Sequence, residues 1–130
     1  MRLSPNAPLF RSVPRDDALR FGEGGGFDPK RVAEFMELDR NAISKIASVA
    51  PASVRWDDNM PKPVRDRLEE IGAIANLVAG IFSGDAAKTA LWFRTKNPLL
   101  GDISPRDMVR LGRYDRLRRF ILSATQDDAA

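Results

Sequence analysis

Cysteine and histidine are both missing from the 130 residues. Without them the chain can form no disulfide, no thiol nucleophile, no Cys/His zinc site and no triad that relies on an imidazole base. Any catalysis would have to rest on carboxylate, lysine, tyrosine or carboxylate-bound metal chemistry. The weight therefore shifts toward a protein that works by binding, with no cofactor and no metal implied. No run reaches the ~18 consecutive apolar residues of a membrane span. Met1 to Phe10 is polar and broken by prolines, unlike a secretory signal. A cytoplasmic protein with no membrane partner is the expectation. Strongly one-sided charge is missing too, since Lys+Arg 21 face Asp+Glu 18, a formal net charge of +3. A dedicated nucleic-acid binder ordinarily shows a local basic excess. Here residues 27–63 hold six cations and six anions. The densest cationic run is Arg113, Arg116, Arg118 and Arg119.

What is present suits one small soluble domain, or two very small ones: 43% of residues are apolar and 30% charged. Residues 1–26 read as an arm. Pro5, Pro8 and Pro14 break its periodicity, and Gly22 to Gly26 reads as a flexible hinge. The glycine run fits no phosphate-binding motif, because Phe27 stands where a third glycine would be and no GK[ST] follows.

Beyond the hinge nearly everything reads as helix. Asp28-Pro29 is a start signal, and Val32, Phe35 and Met36 form an apolar stripe closed by Leu38. Asp39 caps a second short helix carrying Ile43, Ile46 and Ala47. Asp57 to Pro63 reads as a loop. Val64 opens the longest helix, whose steps of three and four (Val64, Leu68, Ile71, Ile74, Ala75, Leu77, Val78, Ile81 and Phe82) predict a broad buried stripe. Asp85 caps the next helix, which Asn97-Pro98 ends. Ser104-Pro105 with Asp107 starts another in a capping-box-like arrangement, which Gly112 ends. A last helix runs from about Tyr114 to Ala124, followed by an acidic tail over 125–130 that is expected to fray. No segment reads as a strand, so the fold class is all-α, a small helical bundle.

Two registers compete for a helix-turn-helix. One pairs the helix around Val32-Ala33 with the helix around Ile43, placing Glu37 at a turn position that favours positive φ. The other runs from Ile43 to Val54, with Pro51 at the first turn of a reading helix. The second is preferred. It would expose Ala52, Ser53, Arg55 and Trp56, with Arg55 the candidate for phosphate or guanine. The alternative is that Arg55 and Trp56 only anchor the loop to the long helix.

The run Trp92-Phe93-Arg94-Thr95-Lys96-Asn97-Pro98-Leu99-Leu100-Gly101 is followed by Ile103-Ser104-Pro105-Arg106-Asp107-Met108 and then by Gly112-Arg113-Tyr114, with Leu117 one turn on. This pattern resembles the toxin-binding domain of the Xre/MbcA/ParS-like antitoxins. Ile46 to Trp56 also resembles part of their Xre-type helix-turn-helix, and the likeness spans about residues 28–124. Residues 27–63 would then be the helix-turn-helix-like region and 64–124 the toxin-binding region.

The resemblance implies the antitoxin of a type II toxin–antitoxin module. Its partner would be a RES-domain toxin, related in fold to ADP-ribosyltransferases and acting on NAD. The antitoxin would cover the toxin's active-site entrance with its C-terminal region, and the complex would bind operator DNA. The chain departs from the family pattern in its long arm and in the charge balance of its helix-turn-helix region. The toxin-facing candidates are Trp92, Phe93, Asn97, Leu100, Arg106, Arg113, Tyr114, Arg116 and Phe120. Of Trp92 and Phe93, one is expected to be exposed as an interface anchor. Asp127 and Asp128 could mimic a pyrophosphate, or the final helix could block sterically. A homodimer within a hetero-oligomer is expected, because self-repression commonly uses paired half-sites. The rival reading is a stand-alone helix-turn-helix repressor.

Overall fold

The computed structural model describes residues 17–22 and 26–129, with side chains through residue 125. Four helix starts follow directly from side chains that satisfy otherwise orphaned amides. Asp28 accepts from the Lys30 amide at 3.0 Å and Pro29 fills the first turn, giving α1, Pro29–Met36. Asp39 accepts from the Ala42 amide at 2.8 Å and opens α2, Arg40–Ala47. Asp85 accepts from the Lys88 amide at 3.0 Å and opens α4, Ala86–Arg94. Ser104 accepts from the Asp107 amide at 3.1 Å and opens α5, Pro105–Arg110. Between these lies α3, Lys62–Ile81, and the last helix is α6, Tyr114–Ala129. Pro51–Ser53 and Pro98–Leu100 are single 3-10 turns. Among the described residues there is no strand, only an isolated bridge between Asn97 and Ile103. The fold is all-α, as the periodicity anticipates, and no described helix is long and apolar enough to cross a membrane.

The 20-residue α3 is the axis of the bundle, with α1, α2, α4 and α6 packed against it. Its positions Val64, Leu68, Ile71, Ile74, Ala75 and Val78 are buried as the apolar stripe in the sequence predicts. Leu77 and Phe82 are only half-buried, and Ile81, expected in the same stripe, is exposed because the stripe outruns the core at the end of the helix. They join Val32 and Met36 of α1, Ile43 of α2, Phe93 of α4, Met108 of α5 and Leu117 of α6 in one continuous core. The α1–α3 approach is close at Gly72. A Cβ there would stand 3.0 Å from Val32 Cγ2 and 3.3 Å from Phe21 Cδ2. Both neighbours are buried, so glycine at this position sets how near the helices come.

Several expectations are corrected. Phe21, placed in the arm by its sequence neighbours, is buried in the core, and Asp17–Gly22 folds into a turn against α3. Leu19 donates its amide to Asn76 Oδ1 at 3.0 Å, and Asn76 Nδ2 donates to Asp17 Oδ1 at 3.0 Å. The rest of the arm, 1–16, and hinge residues 23–25 lie outside the described residues. The long helix begins at Lys62, two residues ahead of Val64, because prolines are tolerated in a first helical turn. The last helix continues to Ala129, through the segment expected to fray. Pro51 does not begin a reading helix. The 3-10 turn ends at once in extended Val54, whose side chain plugs the core. Asp57 then accepts from the Asn59 amide at 2.9 Å, a local turn that competes with helix.

The tight turn between paired helices is instead the one joining α1 to α2. Glu37 sits there in the left-handed region at φ 54° and ψ 48°, with its amide bonded to Ala33 and Glu34 carbonyls. Leu38 is buried, and Asp39 caps the next helix.

Candidate protein-docking groove

The segment Asn97–Ile103 is a small self-bonded loop. Asn97 accepts the Leu99 amide on its side chain at 2.9 Å, and the Leu100 and Asp102 amides on its carbonyl at 2.9 and 3.0 Å. The Asn97 amide donates to the Ile103 carbonyl at 3.1 Å, which closes the loop. Gly101 takes φ 85°, a conformation that glycine adopts without the Cβ penalty. The 3-10 turn sends Leu99 and Leu100 in opposite directions. Leu100 is buried, whereas Leu99 is 78% exposed at the loop tip.

Leu99 forms one wall of an apolar groove of about 290 Å³. Val78, Ile81 and Phe82 at the end of α3 line it, with Trp92 of α4 and Asn97 of the loop. Phe120, Ile121 and Ala124 of α6 complete it. Ile81 is 53% exposed, and Leu91 of α4 is exposed as well. Trp92 is half-buried and meets Phe93 edge-on at 5.0 Å between ring centroids.

The toxin-facing candidates therefore divide. Trp92, Asn97 and Phe120 come together in the groove. Phe93, Leu100 and Tyr114 are core residues with no surface to offer. For Phe93, the pairing with Phe35 and Trp92 explains why the inward member of the aromatic pair is this one. Arg106 is turned to Glu37, with which it forms an ion pair. That pair ties α5 to the α1–α2 turn, while the Arg106 Nε is buried with no hydrogen-bond partner among the described residues. Arg113 and Arg116 are exposed and make no ion pair among the described residues. Asp127 and Asp128 fall in the last turns of α6, and their side chains lie outside the described residues. The sequence reading missed Leu99, Leu91 and Ile81.

Beside Tyr114 lies a charged cluster. Arg67 sits 5.3 Å over the Tyr114 ring and pairs with Glu70 at 3.3 Å and Asp115 at 3.5 Å. Burial holds the Glu70 carboxyl above its ordinary range, against the pull of Arg67 and Arg118. Burial likewise pushes the Tyr114 phenol far up, helped by Glu70, and its hydroxyl has no hydrogen-bond partner among the described residues.

The DNA-facing candidates lie elsewhere. Ala52, Arg55 and Trp56 are exposed and Ser53 is half-buried. Arg55 is already engaged, since its Nη2 and Nε donate to Asp57 Oδ2 at 2.7 and 3.2 Å. That side-chain bond holds the Asp57 carboxyl below its ordinary range. Trp56, Asp57 and Asp58 border a second hollow of about 310 Å³ with Asp28, Lys30 and Arg65. The surface around Arg55 is thus charge-mixed.

No protein-family model, curated protein or solved structure matches this chain.

Proposed function

We propose that this chain is the antitoxin of a type II toxin–antitoxin module and performs no reaction of its own. It binds a NAD-using RES-domain toxin, covers that enzyme's active-site entrance, and together with it represses the shared operon. The observation that carries this reading is the apolar groove and its rim. Leu99 and Ile81 stand in water around a concave surface built by the segment that resembles the family's toxin-binding domain. Burying a large aliphatic side chain is worth about 1.5–3 kcal/mol. Two of them on one rim, beside Trp92 and Phe120, make a surface suited to a protein partner. The final helix and the Asn97–Ile103 loop then make the contact, by steric cover.

The rival reading, a repressor acting alone, leaves this groove without a use. Co-expression separates the two. A RES-domain protein encoded beside this gene should arrest growth when produced alone, and co-production of this chain should restore it. The two should also co-purify. If growth stays arrested while this chain is present in excess, the antitoxin reading fails.

A further inference from the structure

We infer that the surface contacting duplex DNA is the exposed face of α2 together with the α5–α6 turn, rather than the Ala52–Trp56 segment. The inference rests on the operon-repression half of the proposed function and specifies where that contact lies. Three observations lead to it.

The first is geometric. Helices α1 and α2, eight residues each, are joined by the three residues Glu37–Asp39, the turn length of a helix-turn-helix. α2 buries Ile43, Ser44 and Ile46 on one side. Asn41 and Lys45 are exposed one turn apart on the other, with Ser48 following at the helix end. Asn41 makes no side-chain hydrogen bond among the described residues, so its amide is free to pair with an adenine edge. After Pro51, by contrast, there is no helix to lay in a groove, only one 3-10 turn.

The second is contiguity. The Lys45 stem passes 3.9 Å from where a Cβ on Gly112 would stand. Gly112 takes φ 80°, and Arg113 follows it directly. Lys45 thereby packs beside the α5–α6 turn that carries Arg113, with Arg116 in the first turn of α6.

The third is charge. Lys45, Arg113 and Arg116 have no ion pair among the described residues, whereas the nearest carboxylates in sequence are occupied. Asp107 pairs with Arg110 at 3.5 Å, Asp115 with Arg67 at 3.5 Å, Glu37 with Arg106, and Asp39 caps α2. Three free cations beside an amide-bearing helix face fit a phosphate backbone flanking a major groove. The Arg55 surface carries its own neutralising carboxylate and does not.

The test measures binding of the full-length protein, alone and co-purified with the RES-domain protein, to a fluorescent duplex covering the DNA upstream of its own gene. A scrambled duplex of equal length is the control. Lys45→Gln and Arg113→Gln should each lower the slope of log affinity against log salt by about 1. Asn41→Ala should weaken binding to the promoter duplex roughly 5- to 150-fold and leave the scrambled duplex unchanged. Arg55→Gln should bind as wild type. Growth rescue against the RES-domain protein should survive Lys45→Gln, Asn41→Ala and Arg55→Gln, none of which lies among the toxin-facing candidates.

If Arg55→Gln weakens binding while Lys45→Gln and Arg113→Gln do not, the surface is misassigned although the operon reading stands. If Lys45→Gln and Arg113→Gln lose growth rescue and keep DNA binding, the basic face belongs to the protein partner and the inference is overturned. If wild type binds neither duplex in any form, the operon reading itself falls.

Discussion

Arg106 of α5 donates from Nη1 to Oε2 of Glu37 in the α1–α2 turn, across 69 positions of sequence. The bond ties the tightest backbone turn to the start of the Pro105 helix. It also sets two effects against each other. Glu37 is a non-glycine residue at φ 54°, which costs about 1 kcal/mol relative to glycine. Its carboxylate partners a guanidinium whose side chain is 18% exposed, and a bond of this charged kind is worth about 1.5–3 kcal/mol. The bond should win. Glu37→Gly is expected to destabilise the protein by about 1 kcal/mol in urea unfolding. In an Arg106→Met background the same substitution should stabilise by about 1 kcal/mol, because only the backbone relief remains. Equal effects of the substitution in both backgrounds would show that the ion pair carries no weight.

Asp17 predicts a pH dependence. Burial pushes its carboxyl up, but the Gly22 and Phe21 amides, the Asn76 side chain and Arg31 together pull it below the ordinary value of 3.8. The folded state therefore releases this proton more readily than the unfolded chain does. The stabilisation is complete above the unfolded value and is lost as pH falls through the folded one. Asp17→Asn should lower the urea midpoint at about pH 7, and the gap from wild type should narrow as pH falls below the ordinary value of 3.8. A gap that widens on acidification would contradict the assignment.

Tyr114 supplies the third prediction. Its ring is core and carries Arg67 above it, while its buried hydroxyl has no partner among the described residues. Tyr114→Phe keeps the ring and removes the unpaired oxygen. It should raise unfolding stability by about 1 kcal/mol, where loss of a satisfied hydroxyl would lower it by about the same. Thermal or urea unfolding of the single variant decides the sign.

These residues also show what the sequence discloses and what it conceals. The caps at Asp28, Asp39, Asp85 and Ser104 are local devices, so residue type and spacing alone place the helices they open. The α3 stripe is equally readable, because helical periodicity maps directly onto burial. Phe21 was hidden because it packs against Phe35 and Gly72, distant in sequence, while its neighbours are glycines and charges. Pro51 misled for a related reason. Proline at a first helical turn is permissive for α-helix, but Val54 is drawn into the core and breaks the turn. The pair Leu99 and Leu100 is indistinguishable by composition, and only the 3-10 turn separates the exposed member from the buried one.

That pair gives the sharpest functional test. Leu99→Ser removes an apolar group already in water, so unfolding stability should stay within about 0.5 kcal/mol of wild type. If the groove docks the toxin, Leu99 is central to it, and its loss should cost at least about 2 kcal/mol of binding, a weakening of roughly 30-fold. Leu100→Ser reverses the pattern. Its side chain is 6% exposed, so the substitution should destabilise the fold by about 2–5 kcal/mol. Titrating the RES-domain protein with each variant, at a temperature where both are folded by circular dichroism, separates docking from stability. Leu99→Ser protein that binds and rescues growth as well as wild type would place the docking face away from this groove. Leu100→Ser protein that is stable yet fails to bind would mean that the loop turns its other leucine outward.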